Sequence, residues 1–468
     1  MLNSLNALTV LPTDPPLLYS PQTGAYLAAA QSEAKDFLTY QKQEAPDWLD
    51  YYKKLKGKRK ELQRFILNCF TPPAAKPQYQ PFQTSISFLG EFKCNLACVY
   101  CFNKDAQKTL NKTKHFSEKL FTVALQKFYK QKSGWPAVDF GYSGEPLLFF
   151  DWFQKLWAIN QKLAAQYRKP PAALGIMTNG LLLDDKIIAW LEQHGCWIGL
   201  SLDGGAEATN SGRGAKVFER ALKNYKRIFS RNSWIKYQRG VSATISSLNP
   251  DVSRVFRDLW GEGFRQIYMK PNRAAADNPY GLNKKLWPKL KKGYQKLFAL
   301  FTADLRAGRL DRLLAIASRF DYAGRFLCRI LIHTPVTRRC GAAYGSVSLR
   351  NNGDVYPCDT YAAMLKHQLG NIYTGFKWER DFIPAVDDLE HCRACAYRYI
   401  CGGACRVWQE YNDGDASVEC ALNKFLIELC FQLAAELEKY PEQKQLLSAC
   451  IKHNIVPPTR PGSRKEKK

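Results

Sequence analysis

Long apolar segments are absent from this sequence of 468 residues, and no internal repeat is visible in it. No stretch stays apolar for the roughly 18 residues that a membrane span needs. The first residues, MLNSLNALTVLPTDPPLL, lack the basic start and the apolar run of a signal peptide. We therefore expect a cytoplasmic protein with no membrane partner. Thiols stay reduced in the cytosol, so clustered cysteines there indicate metal ligands rather than disulfides.

Acidic residues are scarce relative to basic ones. The chain has 42 Asp and Glu against 68 Lys and Arg, which gives a formal net charge of +26. Such a surface favours an acidic partner, for example nucleic acid, an anionic membrane or an acidic peptide. The alternative is a basic surface that is simply solvated, because net charge governs solubility and steering rather than fold.

Strand-like and helical segments alternate along the middle of the chain, which we assign to a domain of residues 81–300. The helical patterns include 116–130 and 215–229. This alternation predicts an α/β fold with a parallel sheet and helices outside it. Six units rather than eight predict a partial (β/α)6 barrel, similar to an incomplete TIM barrel, with ligands at the C-terminal ends of the strands. The six strand-like runs are 84–90, 138–143, 172–178, 197–203, 240–246 and 266–270.

Residues 1–80 form a separate N-terminal region. Two proline clusters, Pro12–Pro16 and Pro72–Pro77, enclose strand-like runs at 17–20 and 25–30 and a predicted helix through the basic run Lys53–Lys60. This region is either a small module or an extension that packs on the main domain.

Residues 301–440 form a cysteine-rich region with short predicted strands and many turns. The segment 424–440 has the spacing of an amphipathic helix. The last segment, 441–468, is predicted to be a basic tail, and its final residues have a composition typical of disorder.

Three cysteines, Cys94, Cys98 and Cys101, follow the first predicted strand in the stretch CNLACVYC. Thiolates are the usual ligands of iron–sulfur clusters, and three of them can wrap one face of a [4Fe–4S] cube. Three ligands leave one iron with an open position, which is where a metal site does chemistry. A structural zinc site would want a fourth Cys or His nearby, whereas His115 is fourteen residues beyond Cys101.

The stretch CNLACVYC resembles the CxxxCxxC signature of the radical S-adenosylmethionine (SAM) superfamily. This resemblance implies that the amine and carboxylate of SAM chelate the open iron. One electron from the cluster then cleaves SAM to a 5′-deoxyadenosyl radical, which removes a hydrogen atom from the substrate. The cofactor carries the difficult chemistry while the protein positions it and excludes water. An external electron donor such as flavodoxin or ferredoxin is expected as a partner.

Further short stretches resemble motifs of the same family that line the cofactor or substrate pocket. The stretch SGEP after the second predicted strand is similar to the GGEP motif, and its buried glutamate would make a charge-assisted hydrogen bond to the amine of SAM. TNG ends the third predicted strand and SLDG ends the fourth. Each motif alone is an ordinary turn. The expected cofactor-binding residues are Tyr100, Ser143, Gly144, Glu145, Pro146, Asn179, Ser201, Asp203 and Arg213.

Seven cysteines of the C-terminal region follow an order that resembles the SPASM domain, an auxiliary-cluster module of peptide-modifying radical enzymes. The resemblance implies one complete and one incomplete auxiliary cluster, so three [4Fe–4S] clusters are expected in total. Many relatives have a further cysteine where this chain has Ser346, so Cys328 completes the second cluster or its position stays open to substrate. Zinc ribbons are the alternative. The complete set is Cys392, Cys395, Cys401 and Cys420, and the incomplete set is Cys340, Cys358 and Cys405.

These resemblances imply a peptide maturase that cross-links side chains of a ribosomally made precursor (a RiPP) through a carbon–carbon, ether or thioether bond. The N-terminal region would then be a reduced leader-binding module that binds by strand addition, and a basic surface suits an acidic leader. An anaerobic sulfatase maturase that forms formylglycine is the alternative. An RNA-modifying enzyme is disfavoured by the SPASM-like order, so nucleic acid is not expected as a partner. A non-catalytic scaffold is disfavoured by the open-iron motif. The sequence identifies no catalytic base.

Overall fold

The protein is represented by a computed structural model that describes residues 8–453, except residue 22 and the segments 43–50, 52–53, 56–59, 71–84, 90–91, 105, 107–115, 131–136, 141–142 and 275–277. The second proline cluster, His115, most of the predicted helix through Lys53–Lys60 and the end of the predicted tail lie outside the described residues. No helix in the described part of the chain is long and apolar enough to span a membrane.

Within the described residues, the strands form two sheets. The first is antiparallel, with the order β1-β2-β3, and the second has ten strands in the order β13-β12-β11-β10-β4-β5-β6-β7-β8-β9. Strands β4 to β9 are parallel to their neighbours. The strands are β1 (Thr9–Leu11), β2 (Leu17–Tyr19), β3 (Tyr26–Ala28), β4 (Ser85–Phe88), β5 (Ala137–Phe140), β6 (Ala173–Thr178), β7 (Trp197–Ser201), β8 (Gly240–Ile245), β9 (Gln266–Pro271), β10 (Ser346–Leu349), β11 (Asp354–Tyr356), β12 (Gly370–Asn371) and β13 (Gly375–Phe376).

Helices connect the parallel strands and cover one face of the large sheet. Short 3-10 helices add Pro146–Phe149, Trp234–Tyr237 and Arg380–Phe382. The α-helices are α1 (Gln31–Gln41), α2 (Lys60–Phe70), α3 (Glu118–Lys130), α4 (Phe150–Gln166), α5 (Asp185–His194), α6 (Ala206–Arg213), α7 (Val217–Phe229), α8 (Val252–Gly261), α9 (Trp287–Arg306), α10 (Asp311–Ile316), α11 (Gly324–Leu331), α12 (Asp359–Met364), α13 (Glu390–Arg393), α14 (Arg398–Cys401), α15 (Arg406–Tyr411), α16 (Ser417–Glu438) and α17 (Pro441–Lys452).

Alternation along the strands separates a helix-covered face from a concave face. In β5, Val138 and Phe140 are buried, and the Phe140 ring packs against Phe121 of α3 and Phe153 of α4. Because successive side chains of a strand point to opposite faces, Asp139 points to the concave face. The prediction of an α/β partial barrel with six parallel strands is confirmed.

The cysteine-rich region continues the barrel sheet, which the sequence did not predict. Strand β10 pairs in parallel with β4, from Ser346 beside Ser85 to Leu349 beside Phe88. Strands β11 to β13 then extend the sheet in antiparallel order. The expected boundary between residues 300 and 301 falls inside α9, and residues 441–452 of the predicted tail are helical.

The N-terminal sheet has its own small core and docks on the C-terminal region. Leu18 and Phe37 are fully buried in that core. On the docked side, the Tyr19 hydroxyl donates to the carbonyl of Ala396 at 2.9 Å, and the Tyr19 ring packs 4.9 Å from Phe431 of α16. The runs at 17–20 and 25–30 thus contain strands, and they contact the main body.

Candidate active site

The loop after β4 brings the first three cysteines together. The amide of Cys101 donates to the carbonyl of Cys98 at 3.1 Å, and the amide of Leu96 donates to Cys94 Sγ at 3.4 Å. The three thiols interact electrostatically, and burial raises the pKa of each, that of Cys98 to about 12. A bound metal reverses this preference, because a coordinating thiol is deprotonated.

Glu145 lies in the turn after β5, against the loop that contains Cys94, Cys98 and Cys101, which we call the cysteine loop. Its amide donates to the carbonyl of Lys93 at 2.9 Å. Gly144 has φ +109°, and a Cβ there would lie 2.2 Å from the Lys93 oxygen, so the close approach of the two loops requires glycine. The Ser143 hydroxyl is buried and has no hydrogen-bond partner among the described residues.

Donors from β6 and from its own turn hold the Glu145 carboxylate. It accepts hydrogen bonds from the Thr178 hydroxyl at 2.6 Å, the Asn179 amide at 2.8 Å and the Leu147 amide at 3.1 Å. Burial raises the pKa of Glu145, and these donors oppose the increase. A cation facing this carboxylate would favour its charged form.

Asn179 connects this carboxylate to the cysteine loop. Its side-chain amide donates to Asn95 Oδ1 at 2.7 Å and contacts Cys94 Sγ at 3.9 Å. The loops after β4, β5 and β6 therefore converge at one edge of the sheet, where a buried carboxylate stands beside three thiols. This donor set fits a [4Fe–4S] cluster and the amine of SAM.

Tyr100, Asp203 and Arg213 bind one another. The guanidinium of Arg213 donates to both carboxylate oxygens of Asp203, at 2.9 and 2.8 Å, and the Tyr100 hydroxyl donates to the same carboxylate. The amide of Thr244 donates to Asp203 Oδ1 at 3.0 Å. Burial disfavours the charged guanidinium, but Asp203 and Tyr100 outweigh it and raise the pKa of Arg213. This cluster fixes the cysteine loop to β8 and α6, so its members position the loop, and a direct contact of each with SAM stays a prediction.

Ser201 and Pro146 also lie at this edge, in β7 and at the start of the 3-10 helix that follows Glu145. The nine expected cofactor-binding residues thus lie at strand ends or in the loops and short helical segments that follow them, and Arg213 is the last residue of α6.

Four of the C-terminal cysteines line one cavity of about 370 Å³. The Asn423 side chain in α16 donates to Cys401 Sγ at 3.3 Å. The thiols of Cys392 and Cys420 each interact electrostatically with Cys401. The four cysteines in the cavity wall are Cys392, Cys395, Cys401 and Cys420, which is the expected complete set.

The incomplete set also assembles, without Cys328. Cys340, Cys358 and Cys405 interact electrostatically with one another. The thiol of Cys328 instead interacts with Asp321, Arg329 and Cys430, and it is buried in α11 against α16.

Within the described residues there is no group of three or more His, Cys, Asp or Glu side chains that could hold a metal ion. Thiolates at the corners of a cube stand farther apart than ligands that share one ion. The cysteine groups therefore fit clusters by their donor chemistry, and they are not single-ion sites.

Several charged residues near the incomplete set were missed by the sequence analysis. Asp359 directly follows Cys358 and interacts with Lys270 and Arg273. Lys270 and Asp139 face the concave side of the sheet. The sequence did contain a signal for Asp139 and Lys270. Each is a charged residue in a predicted strand, on the face opposite the apolar residues of that strand.

The fold and the three-cysteine loop define a class of protein. Residues 92–238 match the model of the Radical SAM superfamily, and this segment is a radical SAM domain. The chain therefore contains a radical SAM domain followed by a cysteine-rich region, and the donors of its site fit the cofactors of such a domain, SAM and a [4Fe–4S] cluster.

Several known proteins and solved structures are similar to this chain. A cysteine-type anaerobic sulfatase-maturating enzyme of Clostridium perfringens is 23% identical over 72% of this chain and 93% of its own length. A serine-type anaerobic sulfatase-maturating enzyme of Klebsiella aerogenes is 24% identical over 71% of this chain and 82% of its own length. The structure of native anSMEcpe with bound AdoMet is 21% identical, with a TM-score of 0.59 over 78% of this chain and 99% of that one.

Proposed function

We propose that this enzyme removes a hydrogen atom from a side chain of a peptide or protein substrate. The convergence of the Cys94, Cys98 and Cys101 thiols with the buried Glu145 carboxylate carries this proposal. The two further cysteine groups support it, because auxiliary clusters of this order accompany peptide substrates in the family that the sequence resembles.

Different residues of the site would hold the cluster and SAM. The three thiols would ligate the cluster, and Glu145, fixed by Thr178 and Asn179, would accept a hydrogen bond from the SAM ammonium. When bound, SAM and the cluster supply a radical that abstracts hydrogen. The two auxiliary groups would hold one complete and one incomplete cluster, and an external electron donor such as flavodoxin or ferredoxin would supply electrons.

The specific reaction that we propose is cross-linking of a precursor peptide. The N-terminal sheet with its own core adds a module beyond the barrel, and the anSMEcpe chain aligns over only 78% of this protein. A small sheet can bind an extended leader by strand addition, and the net charge of +26 suits an acidic leader.

Formylglycine formation on a Cys or Ser of a sulfatase is the second candidate and has at least equal support. It is favoured by the sulfatase-maturating relatives, which align over most of their own length. A further structure of anSMEcpe contains AdoMet and the Cp18Cys peptide, with a TM-score of 0.58 to this protein.

Mass spectrometry of reaction products separates the two candidates. The reconstituted enzyme is incubated with SAM, reductant and either the Cp18Cys peptide or a peptide encoded beside its own gene. A cross-link lowers peptide mass by two hydrogens with no new carbonyl, whereas formylglycine reacts with a hydrazide reagent. Absence of any hydrogen loss from both peptides would count against a peptide substrate.

The cluster content is tested by iron analysis. We expect about twelve irons per chain, four for each of three cubes. Replacing Cys94, Cys98 and Cys101 together with Ala should leave about two thirds of this iron and abolish SAM cleavage even without peptide. About four irons in the wild type, or tightly bound zinc, would contradict the three-cluster proposal.

A further inference from the structure

A buried side-chain amide lies in the wall of the cavity that the complete cysteine set lines. Asn423 in α16 is 1% exposed, and it borders this cavity together with the four cysteines. Its Nδ2 donates to Cys401 Sγ at 3.3 Å. A neutral hydrogen-bond donor therefore contacts one of the sulfur atoms that would ligate iron.

The neighbours of the Asn423 amide fix its orientation. The guanidinium of Arg325 donates to Asn423 Oδ1 at 3.2 Å. Because a guanidinium has only donors, the atom that faces it must be the amide oxygen. The amide nitrogen is then left facing Cys401. The exchanged orientation would set the amide NH2 group of Asn423 against the N–H groups of Arg325, donor against donor.

A buried network holds Arg325 and the amide in place. The guanidinium carbon of Arg325 lies 3.9 Å from the centre of the Tyr322 ring, which is a cation–π distance. The Tyr322 hydroxyl lies 2.9 Å from Asn423 Oδ1 and 2.9 Å from Glu419 Oε1. Glu419 Oε2 accepts a hydrogen bond from the Cys405 amide at 2.8 Å. The network thus extends from the incomplete cysteine set to the complete one, and rotation of the Asn423 amide would break buried hydrogen bonds.

A hydrogen bond to a ligating sulfur changes the reduction potential of an iron–sulfur cluster. Reduction adds an electron, and the sulfur ligands carry part of the added negative charge. A donor stabilises the reduced form more than the oxidised form, because hydrogen bonds to more highly charged acceptors are stronger. The low dielectric of a buried site increases this difference. A donor on a sulfur ligand therefore raises the potential.

We propose that Asn423 raises the reduction potential of the cluster held by the complete set, through its hydrogen bond to Cys401. Arg325 is the positioning residue that keeps the amide donor directed at the sulfur. This inference rests on the auxiliary cluster of the proposed function, and it adds the residue that sets how readily this cluster takes up an electron.

The test is a redox titration of the reconstituted holoenzyme, followed by electron paramagnetic resonance. The signal of the complete set is the one that Cys420→Ala removes. Asn423→Leu replaces the amide with an apolar side chain of similar size and removes the donor. We expect it to lower the potential of this signal by about 59 mV, which is a tenfold change in a one-electron equilibrium. The iron content should stay that of the wild type.

Three further variants separate the donor from the network and from stability. Asn423→Asp keeps an oxygen for Arg325 but lacks the donor, so the potential should fall here too, and the added negative charge acts in the same direction. Tyr322→Phe keeps the donor and removes a hydroxyl from the same network, so its potential should match the wild type. Asn160→Leu removes another buried amide, which bonds barrel residues, and should also leave the potential unchanged.

An unchanged potential in Asn423→Leu or in Asn423→Asp would overturn this role of Asn423. An equal fall in Tyr322→Phe or in Asn160→Leu would overturn it as well, because the network or the loss of stability would then account for the shift. Absence of a complete-set signal from the wild type would remove the cluster on which the inference rests. The proposed peptide reaction is scored by product mass and this inference by a potential, so the two can fail separately.

Discussion

Asp203 holds three parts of the site through one carboxylate. From the sequence, Asp203 is expected to contact SAM, because SLDG ends a predicted strand at the cofactor side. In the structure, Arg213, Tyr100 and the Thr244 amide bind this carboxylate, and its contact with SAM stays a prediction. Sequence spacing could not predict this, because contacts between side chains a hundred positions apart depend on how the loops fold.

Asp203→Asn should therefore destabilise the protein strongly. It leaves the buried Arg213 guanidinium without its counter-charge, and breaking a buried ion pair costs about 3–5 kcal/mol. The measurement is the thermal unfolding midpoint, with Asp185→Asn as the control because Asp185 forms only exposed ion pairs. Equal midpoints for the two variants would contradict this role of Asp203.

A single substitution also tests whether Cys328 is the fourth ligand of the incomplete set. Cys328 faces Cys430 and Asp321, and no interaction with Cys340, Cys358 or Cys405 is seen among the described residues. Cys328→Ala should accordingly keep the iron content and the cluster spectrum of the wild type, as should Cys430→Ala. Loss of about four irons in Cys328→Ala alone would mean that Cys328 closes this cluster.

Secondary structure followed the sequence where hydrophobic periodicity was strong. All six predicted strands of the barrel are present, and the helical patterns at 116–130 and 215–229 became Glu118–Lys130 and Val217–Phe229. Strand β10 was missed as a member of this sheet, because its short run SVSL does not reveal a distant partner. Lys270 and Asp139 were missed because one charged residue in a strand fits an exposed face equally well.

The contact between β6 and β7 gives a prediction for these elements. Gly175→Ala should lower stability, because the new Cβ would overlap the Trp197 ring, and overpacking costs about 1–3 kcal/mol. Gly261→Ala is the matched control, since a Cβ at that position meets nothing within 4 Å. Thermal unfolding of the two variants checks this, and equal midpoints would show that Trp197 can move aside at little cost.

At the scale of the whole molecule, the excess of basic residues is the dominant feature. Screening shortens the reach of exposed charges to about 8 Å at physiological ionic strength, from about 30 Å at 0.01 M. If the surface recruits an acidic leader, binding of a fluorescent oligoglutamate peptide should weaken steadily between these conditions. An uncharged peptide of the same length is the control. If the affinity for the acidic peptide did not change with ionic strength, the basic surface would be simply solvated and would not recruit a leader.

The pairing of β10 with β4 has a consequence for how the chain is made. Strand β4 leaves the ribosome early, but its partner strand is synthesised only after the barrel and α9 to α11 have emerged. Until then the barrel has an open edge, and such edges invite pairing with other chains. A nascent chain of this protein therefore stays exposed to aggregation for most of its synthesis, and folding of the cysteine-rich region is what ends that exposure.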